Sequence, residues 1–212
     1  MRTVYKLMST GVLFAVSLAL ALTRGRAMYW WVSAALAFSW LGDAALAGVK
    51  PLARFIPNLA LCGMASFAFA HLCYSTALIM MLRVPGGSVA RAAATVAAFE
   101  AAGMLLWYIL AGRSNGDRLL TIASCAYTAL LVGMAGLASA AALNDMQRLW
   151  PLMLGGILFV ISDALIAANW FRGVKQPAVE NLIWSFYLPA QILLLSGFII
   201  FAPARFAAEV ML

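Results

Sequence analysis

Apolar residues in this chain fall into seven long runs, separated by short stretches that hold most of the charges and chain breakers. The runs cover residues 4–22, 29–48, 57–82, 89–111, 119–143, 150–170 and 181–202. Each supplies the roughly 20 residues that a helix needs to cross about 30 Å of hydrocarbon. Membrane β-barrels instead show alternating segments of about 10 residues, which argues against strands. The connections at 23–26, 50–54, 83–87, 112–118, 144–148 and 172–180 are short, so neighbouring helices must run antiparallel. The pattern therefore predicts an all-α, polytopic membrane bundle of about seven transmembrane helices, in one domain spanning residues 1–212. The first run resembles a signal peptide, with Arg2 and Lys6 ahead of it and small residues at Ala19-Leu20-Ala21. Its length, and Arg24 and Arg26 directly after it, favour a retained spanning helix.

Composition agrees with a membrane protein. Hydrophobic residues make up 66% of the 212 and charged residues 10%, too few charges to cover a water-soluble surface. The net charge of +7 does not point to nucleic acid, because the 14 Lys and Arg are spread among the loops and form no basic face. They divide eight to six between the two sides, a bias too small to orient the bundle. Cys62, Cys73 and Cys125 all lie within apolar runs and show neither a pairing pattern nor zinc-site spacing. They read as small packing residues.

The polar residues inside the runs are the informative ones, since a charge at membrane depth costs from about 2.5 kcal/mol upward. Asp43, Glu100 and Asp163 are the acidic candidates, with His71 well inside the third run and Lys6 at the start of the first. Asp117, Asp145, Glu180 and Glu209 fall in loops or at the end and read as solvated. Ser39 and Asp43 are four apart and share a helix face, so Ser39 can hydrogen-bond Asp43. Gly42 beside them permits close approach of another helix. Asp163 follows Ser162 in a comparable setting, and each Asp precedes small and aliphatic residues. The plain alternative is that each Asp pairs with an Arg at a helix end. His71 and Tyr74 share a face and can look into one cavity. Trp184, Tyr187 and Gln191 form a polar-edged stripe on the last helix, equally readable as helix packing with an interfacial belt. Glu100 is open between a pocket role and pairing with Arg91 or Lys6.

Three ordered segments resemble the YhhN family of bacterial lysoplasmalogenases and their animal transmembrane relatives. They are Phe38-Ser39-Trp40-Leu41-Gly42-Asp43, the stretch from Gly63 to Tyr74 with its Phe-x-x-x-His-x-x-Tyr core, and Gly155 to Leu165 with its Ser-Asp pair. Phe186-Tyr187-Leu188-Pro189-Ala190-Gln191 is similar to the family's Tyr and Gln region. The place of the family's Lys-Pro pair is taken here by Lys6-Leu7, with the Pro lost. The resemblance implies hydrolysis of the vinyl-ether bond of a lysoplasmalogen in the cell (inner) membrane. The products would be a fatty aldehyde and glycerophosphocholine or glycerophosphoethanolamine. It implies Asp43 and Asp163 as catalytic residues. Lys6 would contact the phosphate, with Ser39, His71, Tyr74, Ser162, Tyr187 and Gln191 as further substrate-binding residues.

The chemistry suits such residues. A vinyl ether must be protonated on carbon, giving an oxocarbenium ion that water then captures. One carboxylic acid and one carboxylate can divide these tasks, as around the similar cation of glycoside hydrolysis. No cofactor or metal is expected, and the expected partners are the lysophospholipid and membrane lipid, without nucleic acid. An intramembrane aspartyl protease fits worse, because Gly-x-Gly-Asp is missing before Asp43. A non-enzymatic small transporter or lipid-binding bundle with Asp43, Glu100 and Asp163 as proton sites is the alternative of a different class. A retinal protein is excluded by the lack of a Lys in the last run.

Overall fold

The computed structural model describes residues 3–83, 88–114, 117–173 and 177–201. The described elements are all helical: α1 (Thr3–Arg24), α2 (Ala27–Leu46), α3 (Lys50–Phe55), α4 (Leu59–Leu82), α5 (Val89–Trp107), α6 (Arg118–Asn144), α7 (Met146–Arg172) and α8 (Pro177–Phe201). A π-helical turn, Tyr108–Gly112, follows α5 directly. The seven long helices coincide with the seven apolar runs. Six of them, all but α2, are long and apolar enough to cross a membrane. α2 has 20 residues, enough length to cross, but its Trp, Tyr, Ser and Asp lower its hydropathy.

Three boundaries differ from the expectation. The connection at 50–54 contains a six-residue helix, α3. The 144–148 connection is nearly absent, because α6 ends at Asn144 and α7 begins at Met146, with Pro151 accommodated inside α7. The fourth run changes from α to π geometry before it ends. Single π turns in α-helices often mark functional positions.

Packing follows chain order with one departure. α1 packs on α2, α2 on α4, α4 on α6, α6 on α7 and α7 on α8, while α8 returns to α1. α5 packs on α6 and, chiefly through its π turn, on α7. Most of α5 faces outward, and Gly103 is its buried residue. Small residues set the close contacts. A Cβ on Gly42 would lie 2.6 Å from the Phe67 ring of α4, and one on Gly156 would lie 3.0 Å from the Ala135 backbone of α6. The core is built of Leu36, Phe67, Leu78, Met134, Leu152, Phe159 and Leu194. Of the three cysteines, Cys73 is buried, whereas Cys62 and Cys125 are half-buried.

Candidate active site

Asp43 sits one turn before the end of α2, and Asp163 sits nine residues before the end of α7. Because the helices alternate in direction, both lie in the half of the bundle that holds the start of α1. A cavity of about 390 Å³ occupies this half, and both carboxyls line it. They are close enough for their charges to interact.

Each carboxyl is held by a tyrosine at the end of its own hydrogen-bond chain. Tyr187 of α8 donates its hydroxyl to Asp43 Oδ2 at 3.0 Å. Gln191 Nε2 donates to the Tyr187 oxygen at 3.1 Å, and Tyr74 of α4 donates to Gln191 Oε1 at 2.7 Å. Tyr127 of α6 donates to Asp163 Oδ2. The Tyr127 oxygen lies 3.1 Å from His71 Nε2. Tyr127 has one proton and gives it to the carboxylate, so His71 Nε2 is the donor, which fixes the tautomer. Thr10 of α1 places its hydroxyl beside the Asp43 carboxyl. Among the described residues no hydrogen bond reaches Asp163 Oδ1, which remains available to the cavity.

An aromatic cluster joins the two chains. Phe159 lies edge-on to both Tyr187 and His71, with centroids 5.4 and 4.9 Å away. Phe67 lies edge-on to Tyr187 at 5.8 Å. These rings are buried and restrict the rotamers of the tyrosines they touch.

The walls of the cavity differ in character. Lys6, Glu180 and Trp184, from α1 and α8, form a charged corner. Leu106 of α5, Leu110 of the π turn, Leu131 of α6, and Ile166 and Ala167 of α7 form an apolar limb. Arg172 donates to the Ile109 carbonyl in the π turn, and Trp107 Nε1 donates to Ser124 Oγ at 3.0 Å, tying α5 over this limb.

Several sequence expectations change. His71 and Tyr74 do not line the cavity. Both are completely buried behind it and reach the carboxyls through Tyr127 and through Gln191 and Tyr187. One face of α4 thus feeds two separate chains. Gln191 is also buried behind the wall, as a link between tyrosines. Ser39 does not bond Asp43; its hydroxyl is buried without a partner, because Asp43 turns toward Tyr187 and Thr10. Ser162 lines the cavity, and its hydroxyl likewise has no partner. Neither Asp pairs with an Arg: among the described residues the one ion pair joins Lys6 to Glu180. Glu180 is therefore not merely a solvated loop residue, since it lies in the first turn of α8 and covers a buried lysine. Glu100 meets neither Arg91, which donates to Asn144 Oδ1 at 2.7 Å, nor Lys6. It packs over Gly133 of α6, away from the cavity.

Sequence reasoning missed Tyr127, Thr10 and Glu180. Tyr127 left one usable signal. It lies ten residues into α6, about 14 Å from the helix start, too deep for an interfacial aromatic belt.

The YhhN family profile matches residues 1–198, a span that contains Asp43, His71, Tyr74, Asp163, Tyr187 and Gln191. The chain belongs to the YhhN family. Its curated relatives include proteins named lysoplasmalogenase from Mycobacterium bovis and Mycobacterium tuberculosis. Each is 33% identical over 138 residues, which is 64% of this chain and 49% of the relative. The chain thus spans about half the length of the curated relatives it matches. No solved structure matches it. With its membrane-length helices, this YhhN member is a multi-pass membrane protein.

Proposed function

We propose that the protein hydrolyses the vinyl-ether bond of lysoplasmalogens, using Asp43 and Asp163 as an acid–base pair in an intramembrane cavity. The observation that supports this most is the set of three chemistries lining one cavity. A lysoplasmalogen has a charged head, a reactive enol ether near the glycerol, and one hydrocarbon chain. The cavity has a charged corner, two carboxyls, and an apolar limb. The names of the mycobacterial relatives support the same reading.

In this mechanism one Asp, as the acid, transfers its proton to the β-carbon of the enol ether. The α-carbon and ether oxygen then share the positive charge of an oxocarbenium ion, which the other Asp stabilises as a carboxylate. Water adds to the α-carbon and gives up a proton to that carboxylate. The hemiacetal then loses its glycerol oxygen, which takes a proton, and the aldehyde is released. Substrate plus one water equals aldehyde plus glycerophosphodiester. Tyr187 and Tyr127 each hold one oxygen of an Asp, and Asp163 Oδ1 is left to meet substrate. Ser162 has an unpartnered hydroxyl for the attacking water or a glycerol oxygen. Lys6 takes the phosphate, and we place the protein in the inner cell membrane.

The test is fatty-aldehyde release by the purified full chain, with the corresponding ester lysolipid as control. We expect aldehyde from the vinyl ether and no fatty acid from the ester. No aldehyde at any lipid concentration, from folded protein, would refute the proposal.

A further inference from the structure

Lys6 is unusual among the charged residues. Its side chain is 6% exposed, while that of its partner Glu180 is 72% exposed. A buried ammonium needs a counter-ion at all times. Glu180 meets this need from the solvent side, where its long side chain can swing away. The Trp184 ring lies below the same ammonium, its centroid 5.2 Å from Lys6 Nζ. The corner therefore holds one cation, one displaceable anion and one aromatic face at the mouth of the cavity.

An anion alone suits this corner poorly. It can pair with Lys6 only by displacing Glu180, and it leaves two negative groups side by side. A zwitterion exchanges both partners at once. Its phosphate replaces Glu180 on Lys6, and its ammonium replaces Lys6 against Glu180 and the Trp184 face. Aromatic faces attract ammonium groups even when these are fully methylated and have no N–H to donate.

We propose that Lys6, Glu180 and Trp184 form a head-group selector for zwitterionic phosphodiesters bearing an ammonium. Glu180 acts as the specificity-determining residue that rejects a bare phosphate. This rests on the lysoplasmalogen reading for its substrate, but it concerns binding and does not depend on turnover. Discrimination arises as much from repulsion of the wrong head as from attraction of the right one.

The test uses saturated 1-O-alkyl lysolipids, which have no vinyl ether to cleave, with phosphoethanolamine, phosphocholine or bare phosphate heads. Binding to the full chain is measured by native mass spectrometry in maltoside micelles, which offer no competing head group. We expect both zwitterions to bind about fivefold more tightly than the bare phosphate, the scale of one partly solvated ion pair. Glu180→Gln should bring that ratio to about one, mainly by admitting the bare phosphate, and Glu180→Asp should restore it. Lys6→Met should weaken all three. Equal binding of the three heads by the unaltered protein, or an unchanged ratio in folded Glu180→Gln, overturns the proposal. Aldehyde release from the vinyl-ether substrate is assayed in parallel. Its absence alongside the expected head-group pattern would remove the hydrolase reading and leave the selector standing.

Discussion

Tyrosine hydroxyls decide which oxygen of each carboxyl is committed and which is available. Tyr127→Phe and Tyr187→Phe keep the buried rings and remove only the donors. A hydrogen bond to a charged group contributes about 1.5–3 kcal/mol, so each change should lower kcat for aldehyde release by about 10- to 100-fold, and it should also lower the melting temperature, because the carboxyl loses its donor. His71 acts through Tyr127, and its other ring nitrogen has no partner. His71→Ala should therefore cost less than Tyr127→Phe. The double variant should be no worse than Tyr127→Phe alone, because groups in one chain are not additive. Full additivity in kcat would show that His71 has a separate role. Asp43, Asp163 and His71 were legible in the sequence because an ionisable group stands out in an apolar run. Tyr127 was passed over, since a tyrosine in a membrane helix reads as one more apolar residue unless its depth is weighed. Ser39 was misread for the opposite reason: i, i+4 spacing permits a bond to Asp43 but cannot show that the carboxyl turns elsewhere.

The helices show the same division between what is local and what is not. Run lengths foretold the seven long helices to within a few residues, because hydropathy over about 20 residues is set by the chain alone. The π turn after α5 and the separation of α5 from the other helices depend on contacts with α6 and α7, which no local pattern contains. These features shape the apolar limb. Ala167→Phe would fill part of that limb, so we expect the preferred chain length to shift toward shorter substrates. Parallel assays with a series of lysoplasmalogens of different chain lengths would check this, and an unchanged preference would place the chain elsewhere. Gly156→Leu tests packing apart from chemistry. Its side chain would meet the Ala135 backbone, so the α6–α7 contact must open. Overpacking of this kind costs about 1–3 kcal/mol, to be read as a lower melting temperature in detergent.

At the scale of the whole molecule, the bundle gathers Lys6, Asp43, Tyr127, Asp163 and Tyr187 into the half that contains the start of α1, while the other half buries Met28, Tyr29, Val32, Leu78, Met81 and Phe198. Such an asymmetric bundle can hold a lipid with its head near one surface and its chain within the helices. All the chemistry in the proposed reaction is proton transfer and charge stabilisation by carboxyls. Chelators should therefore leave aldehyde release unchanged. Loss of activity on chelation, restored by a divalent ion, would shift the account to a metal held by Asp and His71. The central claim, that two carboxyls from α2 and α7 act as one unit, is tested most directly by comparing Asp43→Asn, Asp163→Asn and the double variant for aldehyde release, each shown to be folded. Asn retains the shape but can neither give a proton to carbon nor stabilise a cation as a carboxylate does. General acid–base steps contribute about 10²–10⁴-fold. The account expects a loss on this scale in each single variant and hardly more in the double. Full activity in either single variant would contradict it.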